Sequence, residues 1–261
     1  MPEQVPVLIL CGGLGTRLRE ETEYRPKPMV EIGGRPILWH IMRTYAAHGF
    51  RDFVLLAGYR ASQIKEYFLN YEALRRDFTI TLGQHHAIEF HDGHGDENWR
   101  VTIADTGVPT MTGARIKRAA RYVTGPRFML TYGDGVADIN ITALMQAHMA
   151  SGRVGTVTGV RPPSRYGELE LDGARVTTFN EKPQLHEGVI NGGFFVFERS
   201  FLDHLSEDSS CVLEREPLER LAAAGQLGVF RHDGFWQCMD TYRDSLMLNQ
   251  LWDTGAAPWK V

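Results

Sequence analysis

The stretch LILCGGLGTRLREETEYRPKPMVEIGG, residues 8 to 34, decides the fold. Val5 to Leu10 is an apolar run of the kind buried inside a sheet, and it stops at Gly12, Gly13 and Gly15, with Thr16 and Arg17 next. A loop of this composition brings backbone N–H groups against phosphate oxygens, because glycine permits close approach and unusual dihedrals. Thr16 adds a hydroxyl, and Arg17 adds a planar, permanently charged donor fork. Lys27 stands between Pro26 and Pro28, which restrict the backbone and aim the ammonium with less loss of entropy. The stretch therefore reads as a strand feeding a nucleoside-triphosphate loop. It departs from both standard templates, since no GxxxxGK is followed by Ser or Thr and Leu18 stands where GxGxxG needs its third glycine. That weighs against P-loop ATPases and dinucleotide-dependent enzymes.

Outward from this stretch, strands and helices alternate. A helix is expected over Pro36 to Ala47, a strand over Asp52 to Ala57 and a helix over Ser62 to Tyr71, an order that implies a parallel sheet with right-handed crossovers. Between Asp77 and Asn98 the pattern weakens to one strand, Phe78 to Leu82, followed by HHAIEFHDGHGDENW. His85, His86, His91 and His94, with Asp92 and Asp96, lack the spacing of a zinc motif, so this segment reads as a solvated loop or subunit contact rather than a metal site. Further strands are expected at Arg100 to Ala104, Arg127 to Tyr132, Val154 to Val160, Asn191 to Phe197 and Leu227 to Phe230. Helices are expected at Gly113 to Val123, Ile141 to Ala150, Leu213 to Ala224 and Thr241 to Trp252. Glu168 to Phe179 carries the strongest hairpin signal, Asp172-Gly173, which adds antiparallel pairing to the parallel core. No repeat or linker divides the chain, so residues 1 to 261 read as one α/β domain with a mixed, mainly parallel sheet.

The composition suits a folded core, with 43% hydrophobic residues in 261. Lys and Arg number 28 against 32 Asp and Glu, and a net charge of -4 gives no general attraction to nucleic acid or to anionic membrane. Anions must be bound locally. Cys11, Cys211 and Cys238 are odd in number and lack CxxC spacing, which argues against a disulfide framework or zinc knuckle and suits a reducing cytoplasm. No targeting pattern or membrane-length apolar run is seen, so a soluble cytoplasmic protein is expected.

Ligands of open α/β sheets bind beyond the carboxyl ends of strands, and two places besides the glycine loop qualify. Asp134 ends a strand in Tyr132-Gly133-Asp134-Gly135, and Asp240 immediately precedes the last helix. Each has a bland reading, as turn residue and as helix cap. Each is also a carboxylate suited to Mg²⁺ carried in by phosphates. Glu181-Lys182-Pro183 and Asn191-Gly192-Gly193 add an acid, a cation, an amide and exposed backbone, a set fit for sugar hydroxyls and a phosphate.

The opening stretch, continued through RPILWHIM and then DTGVPTMTGARIKR, TYGDGVAD, FNEKP, INGGFFVF, GFWQCMDTYRD and LWDTGAAPWK, resembles the sugar-phosphate nucleotidylyltransferases over essentially the whole chain. MTGARIKR, TYGDGVADI and GFWQCMDT narrow the resemblance to the cytidylyltransferases that act on glucose 1-phosphate. The resemblance implies a Rossmann-like three-layer fold, CTP and α-D-glucose 1-phosphate as substrates, Mg²⁺ as cofactor, and a homo-oligomer, trimer-based or hexameric. On matching positions it implies that Leu10, Cys11, Gly12, Gly13, Leu14, Gly15, Thr16 and Arg17 hold the nucleotide and that Lys27 neutralises its phosphates. Thr110, Arg115 and Gly133 would lie against the nucleotide, Asp134 and Asp240 would hold the metal, and Glu181, Lys182 and Asn191 would face the sugar phosphate. Arg17, Lys27, Asp134 and Asp240 form the implied catalytic set. Cys11 stands where the family usually has alanine, a change small enough to be neutral. Thymidylyl or uridylyl transfer, and a non-catalytic sugar-nucleotide sensor, are the rival readings.

Overall fold

The computed structural model describes residues 5–83, 87–91, 97–161, 168–172, 175–180 and 188–261. Seven strands form the central sheet: β1 (Val7–Cys11), β2 (Asp52–Ala57), β3 (Arg100–Asp105), β4 (Arg127–Tyr132), β5 (Gly155–Val160), β6 (Ile190–Glu198) and β7 (Leu227–His232). Their order is β7-β5-β6-β4-β1-β2-β3. β1 pairs in parallel with both β2 and β4, β2 with β3, and β5 with β7, whereas β6 runs antiparallel between β4 and β5. All five residues of β1 are buried, as its unbroken apolar run requires of a strand covered on both faces.

Alternate residues of β1 serve different cores. Val7, Ile9 and Cys11 pack with the helices α1 (Ile37–Ala47) and α2 (Ala61–Leu69), with α4 (Ile141–Ser151) through Ile141 and Leu144, and with α6 (Tyr242–Asp253) through Leu248. Leu8 and Leu10 pack with α3 (Thr112–Arg118), α5 (Glu216–Ala223) and Phe201. Helices thus cover both faces, giving the expected three layers. The helices α3 and α5 are shorter than their apolar patterns suggest. Beyond Arg118 the chain tightens into a 3-10 turn, and α5 begins only at Glu216, with Pro217 in its first turn where a missing N–H does no harm.

The expected hairpin is present as Glu168–Asp172 paired with Arg175–Asn180, Asp172 opposite Arg175; its turn residues lie outside the described segments. One correction concerns the histidine-rich segment. Ala87–Phe90, expected as irregular chain, is a strand that pairs with Phe78–Thr81 in a second antiparallel hairpin, Phe78 opposite Phe90 and Ile80 opposite Ile88. Its alternation of apolar and polar residues is short and flanked by charge, which hid it from a periodicity argument. His85, His86, His94, Asp92 and Asp96 fall outside the described residues, while His91 contacts the Thr79 hydroxyl at 2.7 Å. No helix among the described residues is long and apolar enough to cross a membrane.

Candidate active site

The carboxyl ends of β1 and β4 lie side by side, and the loops leaving them build the site. Lys27 sits in a 3-10 turn, Lys27–Met29, entered from extended Pro26 and closed by Met29 N–H on Pro26 O and Val30 N–H on Lys27 O. Its side chain is only 9% exposed, and Nζ donates to Asp134 Oδ2 at 2.7 Å and to Asp240 Oδ1 at 2.6 Å. Burial pulls the Lys27 ammonium down, but the two carboxylates outweigh it and its pKa is raised. Arg17, largely exposed, donates from Nη1 to Asp240 Oδ2 at 2.8 Å.

A short ribbon brings the two aspartates together. Gly135–Ala137 pairs antiparallel with Trp236–Cys238, Gly135 opposite Cys238, and the Met239 N–H closes on Asp134 O at 2.8 Å. Asp134 therefore faces the residues just after Cys238. The helix-cap role belongs to Thr241, whose hydroxyl accepts from Asp244 N–H while Asp244 Oδ2 accepts from Thr241 N–H, a reciprocal capping box. Asp240 is left to turn its carboxylate into the site.

Beneath the glycine loop lies Arg115, 3% exposed and held by carbonyls rather than by a carboxylate. Nη2 donates to Gly12 O at 2.9 Å and Val108 O at 3.1 Å; Nη1 donates to Gly107 O and the Thr106 hydroxyl, both at 2.7 Å. Burial, then the neighbouring Arg118, lowers its pKa. The guanidinium fills the space where a Cβ on Gly12 would stand, which is why residue 12 must be glycine. Gly133 is equally constrained, since a Cβ there would come within 2.6 Å of Leu10 O. At Gly15, φ is +64° and an added Cβ would strike Thr22, whose hydroxyl donates to Gly15 O and Leu18 O.

These elements line a cleft of about 320 Å³. Leu10, Cys11, Gly12, Gly13, Gly15, Thr16, Arg17, Lys27, Thr110, Arg115, Gly133 and Asp134 all reach it. Leu14 does not, and its side chain is half exposed. Asp240 stands at the edge through Lys27 and Arg17, and Asn191 reaches the cleft through Tyr132. Glu181 and Lys182 lie outside the described residues. Thr110 turns its hydroxyl to Thr106 O at 2.8 Å and receives Arg118 at 2.7 Å. Cys11 is 1% exposed and burial pushes its thiol far up, so it packs as a small neutral residue. A larger groove, about 540 Å³, lies along β3 against Phe68, Tyr71 and Trp99, but no basic side chain lines it and it cannot hold a triphosphate. Missed by the sequence reading are Tyr132 and Thr112, which line the cleft, and Glu214, which joins them. Tyr132 was legible beside Gly133-Asp134; Glu214 is hidden in the charged run LEREPLER.

The carboxylate pair suits a hard dication. Its ligands are oxygens, and among the described residues no group of three His, Cys, Asp or Glu side chains forms a closed protein cage. Mg²⁺ takes one or two carboxylates and completes its shell with water and phosphate oxygens, so Asp134 and Asp240 fit it.

One family model, Nucleotidyl transferase, matches residues 6–237, a span that holds the glycine loop, the buried lysine and the first of the two carboxylates, Asp134. The chain belongs to this family. It is 49% identical to the glucose-1-phosphate cytidylyltransferase of Salmonella typhi over 97% of this chain and 98% of that protein. It is 43% identical to the probable glucose-1-phosphate cytidylyltransferase of Bacillus subtilis, over 97% and 98%. The crystal structure of HddC from Yersinia pseudotuberculosis superimposes with a TM-score of 0.70 at 23% identity, covering 95% of this nucleotidyl transferase and 99% of HddC, which shows the shared fold.

Proposed function

We propose that this chain transfers a cytidylyl group from CTP to α-D-glucose 1-phosphate, releasing CDP-glucose and pyrophosphate. The observation that carries the reading is Lys27 bridging Asp134 and Asp240 beside the glycine loop, in a chain so similar throughout to the two cytidylyltransferases. A phosphate oxygen of the sugar phosphate attacks the α-phosphorus in line; the bond to the bridging oxygen of the β-phosphate breaks, and pyrophosphate leaves with that electron pair. The nucleophile is already anionic, so positioning and charge neutralisation dominate and no serine or cysteine nucleophile is needed. Mg²⁺ held by Asp134 and Asp240 would offset phosphate repulsion and orient both substrates. The loop N–H groups, Thr16 and Arg17 bind the triphosphate, Lys27 neutralises it, and Arg115 fixes the loop from below. Glu181, Lys182 and Asn191 take the sugar phosphate. The setting is cytoplasmic. The hairpin Phe78–Thr81/Ala87–Phe90, with Phe78, Ile80, Ile88 and Phe90 exposed, supports subunit association, and the family resemblance makes that assembly a trimer-based homo-oligomer.

Pyrophosphate release measured with CTP, UTP, dTTP and ATP, each with glucose 1-phosphate, tests the reading. CTP is expected to be preferred, with turnover abolished by EDTA and restored by Mg²⁺. Preference for dTTP or UTP would overturn the cytidylyl assignment, and no turnover with any pair would favour a sensor.

A further inference from the structure

Two hydroxyl groups outside the expected catalytic set meet at one exposed carboxylate, and an amide joins them through one of the hydroxyls. Glu214 lies in the loop before α5. Its Oε2 accepts from the Thr112 hydroxyl at 2.7 Å, and its Oε1 accepts from the Tyr132 hydroxyl at 2.5 Å. Thr112 is the first residue of α3, the helix that carries Arg115 beneath the glycine loop; Tyr132 is the last residue of β4, two before Asp134. Both line the cleft. The Tyr132 hydroxyl in turn accepts from Asn191 Nδ2 at 3.3 Å, and Asn191 Oδ1 accepts from Gly193 N–H at 2.8 Å.

The direction of each bond follows from chemistry. A carboxylate only accepts, so the single proton of Tyr132 goes to Glu214 and a lone pair is left toward Asn191. Burial first, and then the Glu214 carboxylate, raises the Tyr132 pKa, so the phenol keeps that proton. With Nδ2 turned to Tyr132 and Oδ1 to Gly193, the Asn191 amide has one orientation. One N–H and one lone pair remain for a ligand. The Tyr132 ring is held in place: Gly193, with φ +83°, has no Cβ, and an added one would come within 2.6 Å of the ring. The segment Ser209–Leu213 that leads into Glu214 is fastened to α3, where Met111 N–H bonds Ser209 O and Leu213 N–H bonds the Thr112 hydroxyl, both at 2.9 Å.

We propose that Glu214 is a positioning residue for the sugar-phosphate half of the reaction: through Tyr132 it sets the orientation of Asn191, and through Thr112 it ties that orientation to the nucleotide side of the cleft. This rests on the cytidylyl-transfer reading above. Glu214→Ala is expected to raise KM for glucose 1-phosphate on the order of tenfold, the size of one charge-assisted hydrogen bond, with kcat and KM for CTP within about threefold of wild type. Tyr132→Phe, which keeps the ring packing and removes only the hydroxyl, is expected to reproduce that split and serves where Glu214→Ala does not fold. In an Asn191→Ala background, Tyr132→Phe is expected to add less than about twofold, because the residue it acts through is gone. An unchanged KM for glucose 1-phosphate, effects that multiply in the double variant, or equal losses for both substrates would overturn the proposal. Wild-type turnover on the nucleotide panel separates its failure from failure of the functional reading. If the wild type turns nothing over, a crystal structure of Tyr132→Phe decides: Asn191 displaced from its present rotamer is expected, and Asn191 unmoved overturns the proposal.

Discussion

Replacing Lys27 by methionine keeps the buried stem and removes the charge. Asp134 Oδ2 and Asp240 Oδ1 touch one nitrogen at 2.7 and 2.6 Å, so they lie within roughly 5 Å of each other. At that separation two unit charges repel by about 3 kcal/mol at an effective dielectric near 20. For 261 residues such a loss lowers Tm by about 5 °C. The same charge competes with a dication for the carboxylates, so its removal should tighten binding of Mn²⁺, a stand-in for Mg²⁺, to the ligand-free protein. Turnover should move the opposite way and fall by a factor on the order of 10² or more, as loss of a transition-state charge contact does. Calorimetric Mn²⁺ titration, thermal melts with and without Mn²⁺, and pyrophosphate release read the three effects. Melting should drop without metal and recover with it. A variant that melts with the wild type, binds Mn²⁺ no more tightly, or retains more than about a fifth of wild-type turnover would refute the counter-ion argument.

Gly12→Ala would set a Cβ 2.2 Å from the Arg115 guanidinium carbon and force that side chain off its carbonyls; unfolding in urea should show a loss on the order of 3 kcal/mol or more, with turnover abolished. Asp240→Asn should reduce turnover on the order of 10²-fold and raise the Mg²⁺ concentration for half-maximal rate. His40, 2% exposed with Nε2 on Ile32 O, is pushed down to about 4, chiefly by burial. The folded state holds it neutral while the unfolded chain protonates near 6.5, so its stabilisation is complete above that pH and is lost as pH falls toward 4, by about 3 kcal/mol. Urea midpoints of wild type and His40→Gln compared between pH 7 and pH 4 should show that slope in the wild type alone, and parallel curves would count against it.

Asp52–Ala57 and Arg127–Tyr132 were legible because each is a largely apolar run closed by Gly, and both coincide with the expectation residue for residue. The C-terminal end of α3 and the start of α5 were not: the chain tightens into a 3-10 turn after Arg118, and Ser209–Leu213 is bonded to Met111 and Thr112 rather than wound into α5. Among site residues, Lys27 announced itself by its flanking prolines. Asp134 and Asp240 were suspected singly, but their meeting depends on the Gly135–Ala137/Trp236–Cys238 register, a long-range pairing that no local pattern encodes. Arg115 reads in sequence as one cation of MTGARIKR, and only burial distinguishes it as the post on which the glycine loop rests. Glu214 carries no local signal, because its meaning lies in two hydroxyls from elements 82 and 102 residues away in the chain.

That three-residue ribbon has a kinetic consequence. Lys27 and Asp134 can meet once β1 and β4 have paired, but Asp240 joins only when Trp236–Cys238 docks, across a separation of 213 residues from Lys27. Contacts of such span form late, because a long loop must close before they reward it. A folding intermediate with its sheet assembled therefore carries half of the proposed metal site, with one carboxylate already neutralised by an ammonium. Such a species has little hold on a dication, so cation binding reports that the chain has finished folding and not merely that it has begun.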